Sequence, residues 1–309
     1  MKIATIGTGG IGGYLAVKLT LNGCDVATVA RAAHLSAIQE NGLTLATTDG
    51  EVKINPWKAS DDTKSIGPVD AIIFGVKCNA LEQAAKACLP MLHNETIVVP
   101  FLNGVEAPKR LLEFLPKQNI ANGIAKISTT IAEPGVIRQV GSFAQFIFSE
   151  CDSKPSLRVK RLQSIFRNAG IDAPETEDID CDLWSKFVLF SAMSGVTAAA
   201  RCTIGDIRSS KELSNLAQAI MNETANVGRA KGIKLPSTLE RDLWASFETL
   251  PADMRASTAI DLENNRPLET HWVSGAAVRL AREAGVSAKL NEAICALLSP
   301  YINGAKNAC

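Results

Sequence analysis

The chain has 309 residues, more than most single domains contain, so we expect two domains. Its 32 Lys and Arg residues balance its 32 Asp and Glu residues, which argues against nucleic acid or a membrane surface as its partner. Eight cysteines occur without a C-x-x-C pair and three histidines lie far apart, so we predict no metal site and reduced, mostly buried thiols. The expected partner is a small molecule.

The sequence has no pattern of a targeting or membrane segment. Glycines interrupt the apolar run at the N-terminus almost at once, which is not typical of a signal peptide. The longest weakly polar stretch, residues 188–200, is too short and broken to span a bilayer. We therefore expect a cytoplasmic protein that does not associate with a membrane.

Apolar segments alternate with helical patterns through the first half of the chain. Several helices are predicted to end at a glycine followed by an apolar residue, because glycine accepts the left-handed turn that closes a helix. These glycines are Gly23, Gly42 and Gly170. Short strands that are apolar on both faces predict an α/β fold with a doubly wound, mainly parallel sheet of Rossmann type. The strand candidates are residues 3–6, 26–29, 43–46, 71–76, 96–101, 120–124, 128–132 and 145–149.

The pattern changes twice in the second half of the chain. Between residues 128 and 149 strands follow one another without helices, which predicts an antiparallel edge on the same sheet. From about residue 175 only helical patterns occur. We therefore divide the chain into a sheet domain, residues 1–174, and an all-helical domain, residues 175–309.

Two helical segments of the second domain have clear limits. The first is predicted to begin with a capping box from Ser209 to Glu212 and to stop at Gly232. The second runs from about Pro267 to Gly285. Apolar residues on one face of these helices could serve an interface within the chain or a homodimer.

The sequence GTGGIGGY directly follows the first predicted strand. Gly7, Gly9 and Gly12 satisfy the G-x-G-x-x-G pattern, with Gly10 and Ile11 at the predicted start of a helix. The first glycine would end the strand, the second would let a pyrophosphate approach the main chain, and the third would let the helix pack against the strand. This context favours a dinucleotide site over a tight turn that binds no ligand.

Arg31 ends the second predicted strand, at the position that contacts the adenosine ribose in dinucleotide-binding folds. Asp or Glu at this position would accept hydrogen bonds from both ribose hydroxyls and select NAD. A guanidinium group is instead suited to a 2'-phosphate, so we predict NADP(H) as the cofactor. The alternative is an exposed arginine on a loop.

Lys77 and Asn103 follow two further predicted strands, and Gly104 follows Asn103. Ligands of open parallel sheets bind beyond the carboxyl ends of the strands. Lys77 would place a positive charge, and Asn103 an amide, near the nicotinamide end of the cofactor. The alternatives are a surface lysine and an Asn-Gly turn.

With two segments of the helical half, these residues resemble the ketopantoate reductase (2-dehydropantoate 2-reductase) family over nearly the whole chain. DLWSKF is similar to the family's Trp-x-Lys segment, and STAIDLENNRPLE is similar to its Ser-x-x-x-Asp pattern followed eight residues later by Glu. The resemblance implies an NADP-binding Rossmann-type domain over residues 1–174 and a helical substrate-binding and catalytic domain over residues 175–309. It also implies NADPH-dependent reduction of a small 2-oxo acid, such as ketopantoate in pantothenate biosynthesis.

By this resemblance Lys186 is the catalytic lysine, Glu269 is its acidic partner near the cofactor, and Ser257 is a substrate-binding hydroxyl. Lys77 and Asn103 would contact both cofactor and substrate. Hydride delivery to a carbonyl carbon leaves negative charge on oxygen, which the ammonium group of Lys186 would stabilise and protonate. The alternatives are a solvated lysine and a glutamate that favours a helix N-terminus.

Three positions depart from the family's pattern. Members that act on ketopantoate place asparagines four and eight residues after the lysine, where this chain has Phe190 and Ser194. These two positions lie on the same helix face as Lys186, so we expect both side chains in the substrate site. Met254 replaces a polar residue three positions before Ser257. We therefore expect a more apolar site, and a bulkier or less hydroxylated 2-oxo acid is as plausible as ketopantoate.

Two alternative functions fit part of the pattern. One is a related hydroxyacid, 6-phosphogluconate or imine reductase that also pairs a Rossmann domain with a helical domain. Such enzymes also tend to follow a catalytic lysine with asparagine at the fourth position, so Phe190 counts against them equally. The other is a non-catalytic NADP(H) sensor, against which the joint presence of Lys186, Ser257 and Glu269 argues.

Overall fold

The computed structural model describes residues 1–304 and divides into two compact units. The first comprises Met1–Leu102 and Ala107–Ile179, and the second comprises Asn103–Glu106 and the residues from Asp180 onward. The division falls a few residues after the expected boundary at residue 174, and it adds a short segment around Asn103 to the helical unit. The functional roles of the two domains remain predictions, and Cys309 lies outside the described residues.

The first unit is built on a five-stranded parallel sheet in the order β5-β2-β1-β6-β7. With β1 central and two strands added on either side, the sheet has the first five strands of the Rossmann order 3-2-1-4-5-6, so the predicted fold class is confirmed. The strands of the unit are β1 (Lys2–Ile6), β2 (Asp25–Val29), β3 (Leu43–Thr47), β4 (Gly50–Ile54), β5 (Lys58–Ser60), β6 (Ala71–Phe74), β7 (Ile97–Pro100), β8 (Ala121–Glu133) and β9 (Val136–Glu150).

Helices connect these strands, and glycines end them as predicted. The helices are α1 (Gly10–Leu21), α2 (Ala32–Asn41), α3 (Leu81–Cys88), α4 (Ala107–Leu111) and α5 (Leu157–Asn168). Gly23, Gly42 and Gly170, which follow α1, α2 and α5, have φ values of 79°, 79° and 69°. Only glycine adopts this left-handed conformation at little steric cost, so these three predicted helix ends are confirmed.

The predicted antiparallel edge of the parallel sheet is wrong, because β8 and β9 belong to a second sheet. This sheet has the order β4-β3-β9-β8. Strand β3 pairs antiparallel with β4 and parallel with β9, and β8 pairs antiparallel with β9. Strand β3 was also expected in the parallel sheet, and β4 and β5 were not predicted at all.

Helix α1 explains why a second sheet is needed. It packs against β1 and β2 and also against β3, β4, β8 and β9. Leu15 and Leu19 are fully buried, and Tyr14, Ala16 and Val17 are buried as well. A helix that is apolar around its whole circumference must be covered on both sides. The second sheet therefore covers the side of α1 that the parallel sheet leaves open.

The second unit contains only helices among its described residues, as predicted. They are α6 (Ile179–Ala200), which begins at the last residue of the first unit, α7 (Ile204–Ser209), α8 (Lys211–Ala230), α9 (Leu239–Glu248), α10 (Ser257–Glu263), α11 (Ser274–Glu283) and α12 (Lys289–Leu298). A single apolar cluster, which includes Phe187, Ile220 and Phe247, forms its core.

The predicted capping box from Ser209 to Glu212 is wrong, because α8 begins after a simple N-cap at Ser210. The Ser210 hydroxyl accepts the hydrogen bond from the Leu213 amide at the start of α8, whereas Ser209 ends α7. A capping box does exist one helix earlier, between Thr203 and Asp206 at the start of α7. The region predicted as one helix from Pro267 to Gly285 is a 3-10 turn, Thr270–Trp272, followed by α11.

Helix α6 extends well beyond the apolar stretch at residues 188–200. Among the described residues it alone has the length and composition of a membrane-crossing helix, but 67% of its most apolar window is buried inside the protein. Val188, Ala192 and Val196 belong to the apolar cluster of the second unit. Packing of a core helix accounts for its composition.

The described cysteines are buried or partly buried, except for the exposed Cys151. Burial raises the pKa of the Cys88 thiol to about 12, and it also raises the pKa values of Cys24, Cys202 and Cys295. These thiols are therefore protonated and unreactive at neutral pH, as is typical of cysteines that fill a core.

Candidate functional site

Three glycines of the loop after β1 are required by the packing of the loop itself. Gly7 has a φ of 82°, and the amides of Gly7 and Thr8 both donate to the Val29 carbonyl. A Cβ atom on Gly12 would lie 2.3 Å from the Gly7 carbonyl oxygen, and one on Gly10 would lie 2.6 Å from the Thr129 hydroxyl oxygen. These contacts leave no room for side chains, so the strand, the turn and α1 pack in direct backbone contact.

Gly9 differs from these three glycines. Its φ is −86°, which any residue can adopt, and the atom closest to a Cβ built on it is the Gly75 carbonyl oxygen at 4.0 Å. It precedes α1 without supplying a side-chain cap, and the first turn of α1 carries no acidic residue. The unsatisfied amides at a helix N-terminus attract anions. The loop thus fits a pyrophosphate group, with space at Gly9 for close approach.

His34, on α2, holds the glycine loop in place, a role that no sequence pattern indicated. Its Nε2 atom lies 2.6 Å from the Thr8 carbonyl oxygen, and its Nδ1 atom accepts a hydrogen bond from the Gly135 amide. Because Nδ1 accepts, Nε2 must carry the hydrogen that is donated to Thr8. One neutral imidazole therefore connects the glycine loop with the turn between β8 and β9.

Arg31 and Lys77 lie beyond the carboxyl ends of β2 and β6, the strands on either side of β1. Arg31 is exposed immediately before α2, and its Nη1 atom donates to Gln83 Oε1 at 3.1 Å. Lys77 is exposed before a 3-10 turn that begins at Cys78. Both cations are thus at the edge of the sheet at which parallel α/β folds bind their ligands.

In the second unit, three of the predicted residues form a chain of polar contacts. The Lys186 Nζ atom donates to Asn103 Oδ1 at 3.4 Å, and the Asn103 Nδ2 atom donates to Glu269 Oε2 at 3.3 Å. Lys186 comes from α6, Asn103 from the segment after β7, and Glu269 from the residue before the Thr270–Trp272 turn. Glu269 is buried, while Lys186 and Asn103 are partly exposed.

Phe190 lies beside this chain of contacts. Its ring centroid is 5.8 Å from Lys186 Nζ, within the range of a cation–π interaction. Phe190 is one helical turn after Lys186 on α6 and is partly exposed. One helical turn after the lysine this face of the helix therefore carries an aromatic ring, which offers apolar surface and no hydrogen-bonding amide.

The other residues predicted to line the substrate site are Ser194, Ser257 and Met254, and each has a different environment. Ser194 is buried, and its hydroxyl oxygen lies 2.7 Å from that of Thr258. A substrate contact at Ser194 would have to replace this hydrogen bond. Ser257 is exposed at the first residue of α10, and Met254 packs partly buried against the apolar cluster.

The cluster around Lys186 suits reactions that place negative charge on an oxygen atom. Asn103 directs its carbonyl oxygen toward a cation and its amide hydrogens toward a carboxylate, so its orientation is set from both sides. An ammonium group held in this way can stabilise an oxyanion and donate a proton to it.

Comparison with known proteins decides the family. The sequence pattern of ketopantoate reductase PanE/ApbA matches residues 3–153, and that of the ketopantoate reductase PanE/ApbA C-terminal region matches residues 178–301. The chain belongs to the ketopantoate reductase PanE/ApbA family. As a member of this family it is an oxidoreductase that acts on CH–OH groups.

Relatives of the ketopantoate reductase family match along nearly the whole chain. A 2-dehydropantoate 2-reductase of Mesorhizobium japonicum is 28% identical over 319 aligned residues, covering 96% of this chain and 97% of its own. The crystal structure of a PanE/ApbA family ketopantoate reductase from Ralstonia eutropha superposes with a TM-score of 0.88 at 27% identity, covering 97% of this chain and 98% of its own.

A third neighbour shares the fold at lower identity. A D-mandelate dehydrogenase, solved with NADH and anilino(oxo)acetate, superposes with a TM-score of 0.90 at 22% identity. The alignment covers 97% of this chain and 98% of that protein. The same two-part architecture therefore also occurs in a dehydrogenase of another name.

Proposed function

We propose that this protein reduces the ketone of a small 2-oxo acid to the 2-hydroxy acid, with NADPH as the reductant. The observation that carries the proposal is the contact chain from Lys186 through Asn103 to Glu269. Family membership supports the reaction type, and the D-mandelate dehydrogenase of the same fold acts as a precedent for a nicotinamide cofactor.

The residues of the first unit that would hold the cofactor are those of the loop after β1. The open space at Gly9 and the uncapped start of α1 suit the pyrophosphate. Arg31, beyond the end of β2, is suited to a 2'-phosphate and carries the preference for NADPH over NADH. When bound, the reduced nicotinamide supplies a hydride to the carbonyl carbon.

Lys186 is the general acid in this proposal. Its ammonium group stabilises the negative charge that develops on the carbonyl oxygen and donates the proton that completes the alcohol. Asn103 orients the ammonium through its side-chain oxygen. Glu269 fixes Asn103 by accepting the hydrogen bond from its side-chain amide.

Phe190 bears on the choice of substrate. Ketopantoate carries a hydroxyl group, and a buried polar group without a partner costs about 1 to 3 kcal/mol. An aromatic ring beside Lys186, together with a Ser194 hydroxyl already bonded to Thr258, favours a 2-oxo acid with an apolar side chain.

The test is turnover by the purified protein with NADPH and a panel of 2-oxo acids that includes ketopantoate. Turnover is measured as the loss of absorbance of the reduced nicotinamide. We expect turnover on at least one member. NADPH binding without oxidation by any member would contradict the proposal and favour a sensor that has kept the fold and lost the reaction.

Lys186→Ala tests the assigned acid. We expect kcat to fall about a hundredfold or more on the best substrate of the panel, because positioned general acids contribute at least that much. Lys211→Ala removes an exposed lysine from α8 and should leave kcat unchanged. An unchanged kcat in the Lys186 variant would remove this residue from the mechanism.

A further inference from the structure

Arg279, on α11, contacts both the segment that carries Asn103 and the turn that follows Glu269. Its Nη2 atom donates to Glu106 Oε2 at 2.5 Å and to the His271 carbonyl oxygen at 2.9 Å. Glu106 ends the Asn103–Glu106 segment, and His271 lies in the turn that directly follows Glu269. One guanidinium group therefore connects the segment that carries Asn103 with the turn that carries Glu269.

The ion pair between Arg279 and Glu106 is largely enclosed. The side chain of Glu106 is 12% exposed and that of Arg279 is 27% exposed. Arg279 Nη1 also lies 3.2 Å and 3.1 Å from the two ring nitrogens of His271. A hydrogen-bonded pair shielded from water is stronger and better oriented than one on an open surface.

The same two segments meet at a second point. Gly104 has a φ of 83°, and a Cβ atom on it would lie 2.4 Å from the Trp272 carbonyl oxygen. The backbone of the Asn103–Glu106 segment is thus packed against the Thr270–Trp272 turn. Arg279 joins the same segment and turn through Glu106 and the His271 carbonyl oxygen. A third link is the side-chain hydrogen bond between Asn103 and Glu269.

We propose that Arg279, through Glu106, is a positioning residue that keeps the side chains of Asn103 and Glu269 in hydrogen-bonding position beside Lys186. The proposal rests on the proposed function, because it concerns the geometry of that site. In this proposal Arg279 acts through the two segments it joins, by its hydrogen bonds to Glu106 and to the His271 carbonyl oxygen. Misplacement of catalytic groups by about 1 Å can lower a rate as much as a hundredfold.

Arg279→Met is the principal test, with kcat and KM measured for NADPH and for the best 2-oxo acid. We expect kcat to fall about tenfold or more, while KM for NADPH stays within about twofold. Glu106→Gln should lower kcat in the same direction. The kcat of the double variant should be no lower than that of Arg279→Met alone, because both changes remove the same contact between Arg279 and Glu106.

Two further variants separate positioning from general stability. Arg279→Lys keeps the charge opposite Glu106 but lacks the second terminal nitrogen that faces the His271 ring, so we expect partial recovery of kcat. Arg282→Met is the matched control, because Arg282 is an exposed residue of the same helix that pairs with Glu292. It should leave kcat unchanged. If Arg279→Met does not fold, Glu106→Gln and Arg279→Lys decide the question.

A crystal structure of Arg279→Met gives a readout that does not depend on turnover. We expect the Asn103 Nδ2–Glu269 Oε2 distance to exceed hydrogen-bonding range. An unchanged distance, or a kcat within twofold of the parent in a folded variant, would overturn the positioning role. Absence of turnover in the parent protein would instead contradict the proposed function and leave the structural readout to decide this inference.

Discussion

At the scale of single residues, the glycines of the first loop lack side chains for two different reasons. Gly7, Gly10 and Gly12 are required by the fold, because a Cβ atom on any of them would overlap neighbouring atoms. Gly9 has an ordinary φ and open space around it, so the fold does not require a glycine there. We propose that a ligand approaching the main chain accounts for it.

This difference predicts opposite outcomes for two similar substitutions. Gly9→Ala should keep the thermal stability of the parent protein within about 1 kcal/mol but weaken NADPH binding at least tenfold, because the methyl group occupies ligand space. Gly12→Ala should lower stability, because its Cβ would lie 2.3 Å from the Gly7 carbonyl oxygen. Thermal unfolding and fluorescence titration with NADPH measure both effects. Equal NADPH affinity in Gly9→Ala and the parent would contradict the ligand role.

Phe190 gives a second prediction at this scale. Phe190→Asn places an amide where the family's ketopantoate-specific pattern has one, so kcat/KM for ketopantoate should rise about tenfold relative to the analogue that lacks its hydroxymethyl group. Phe190→Leu keeps an apolar side chain and should leave this ratio unchanged. The measurement is the kcat/KM ratio for the two acids in all three proteins. An unaltered ratio in Phe190→Asn would mean that position 190 does not contact the substrate side chain.

At the scale of elements, one ion pair connects α8 with α9. Arg229 donates to both carboxylate oxygens of Glu240 at 2.5 and 2.8 Å, and it also donates to the Pro236 carbonyl between the helices. The hydrogen bonds from Arg229 lower the pKa of Glu240 below its ordinary value. A carboxyl group with a lowered pKa in the folded state stabilises that state only while it is ionised.

The stabilisation by this ion pair decreases as the pH falls. The pair contributes its full stabilisation above the ordinary pKa of glutamate, near 4.5, and loses it as the pH falls through the lower pKa of the folded state. Glu240→Gln should therefore cost about 1 kcal/mol at pH 7, and this difference should shrink below about pH 4. Urea unfolding at both pH values measures it. Asp242→Asn, on the same helix but exposed, should cost less, and an equal cost at pH 7 would contradict the assignment.

Helix ends could be predicted from the sequence, whereas strand pairing could not. The helix ends at Gly23, Gly42 and Gly170 could be predicted because the left-handed turn is a local property of one residue. The partners of β3, β8 and β9 could not, because strand pairing depends on which surfaces remain uncovered. One signal was available in the apolar circumference of α1, which requires cover on both sides.

At the scale of the whole molecule, a bound cofactor stabilises the folded state by an amount that grows with the logarithm of its concentration divided by its Kd. NADPH at about a hundred times its Kd should add about 2.7 kcal/mol to the free energy of unfolding, and NADH at the same concentration should add less. Arg31→Asp should reverse this order, because a carboxylate repels the 2'-phosphate and accepts from the ribose hydroxyls of NADH. Thermal unfolding with each cofactor measures the effect.

Gln83→Ala is the matched control for this comparison. It removes the hydrogen bond to Arg31 but keeps the guanidinium group, so the preference for NADPH should persist. Equal stabilisation of the parent protein by both cofactors would refute the assigned role of Arg31.

Most strands and helices and the glycine turns could be predicted from the amino-acid sequence, because they depend on each residue and its immediate neighbours. The candidate lysine, acid and amide were found through the family resemblance of the segments that carry them. Which of these residues meet became visible only in the folded chain. Asn103 contacts residues 83 and 166 positions away, and Arg279 reaches Glu106 across 173 positions. Such contacts depend on how whole elements pack, which no local pattern encodes.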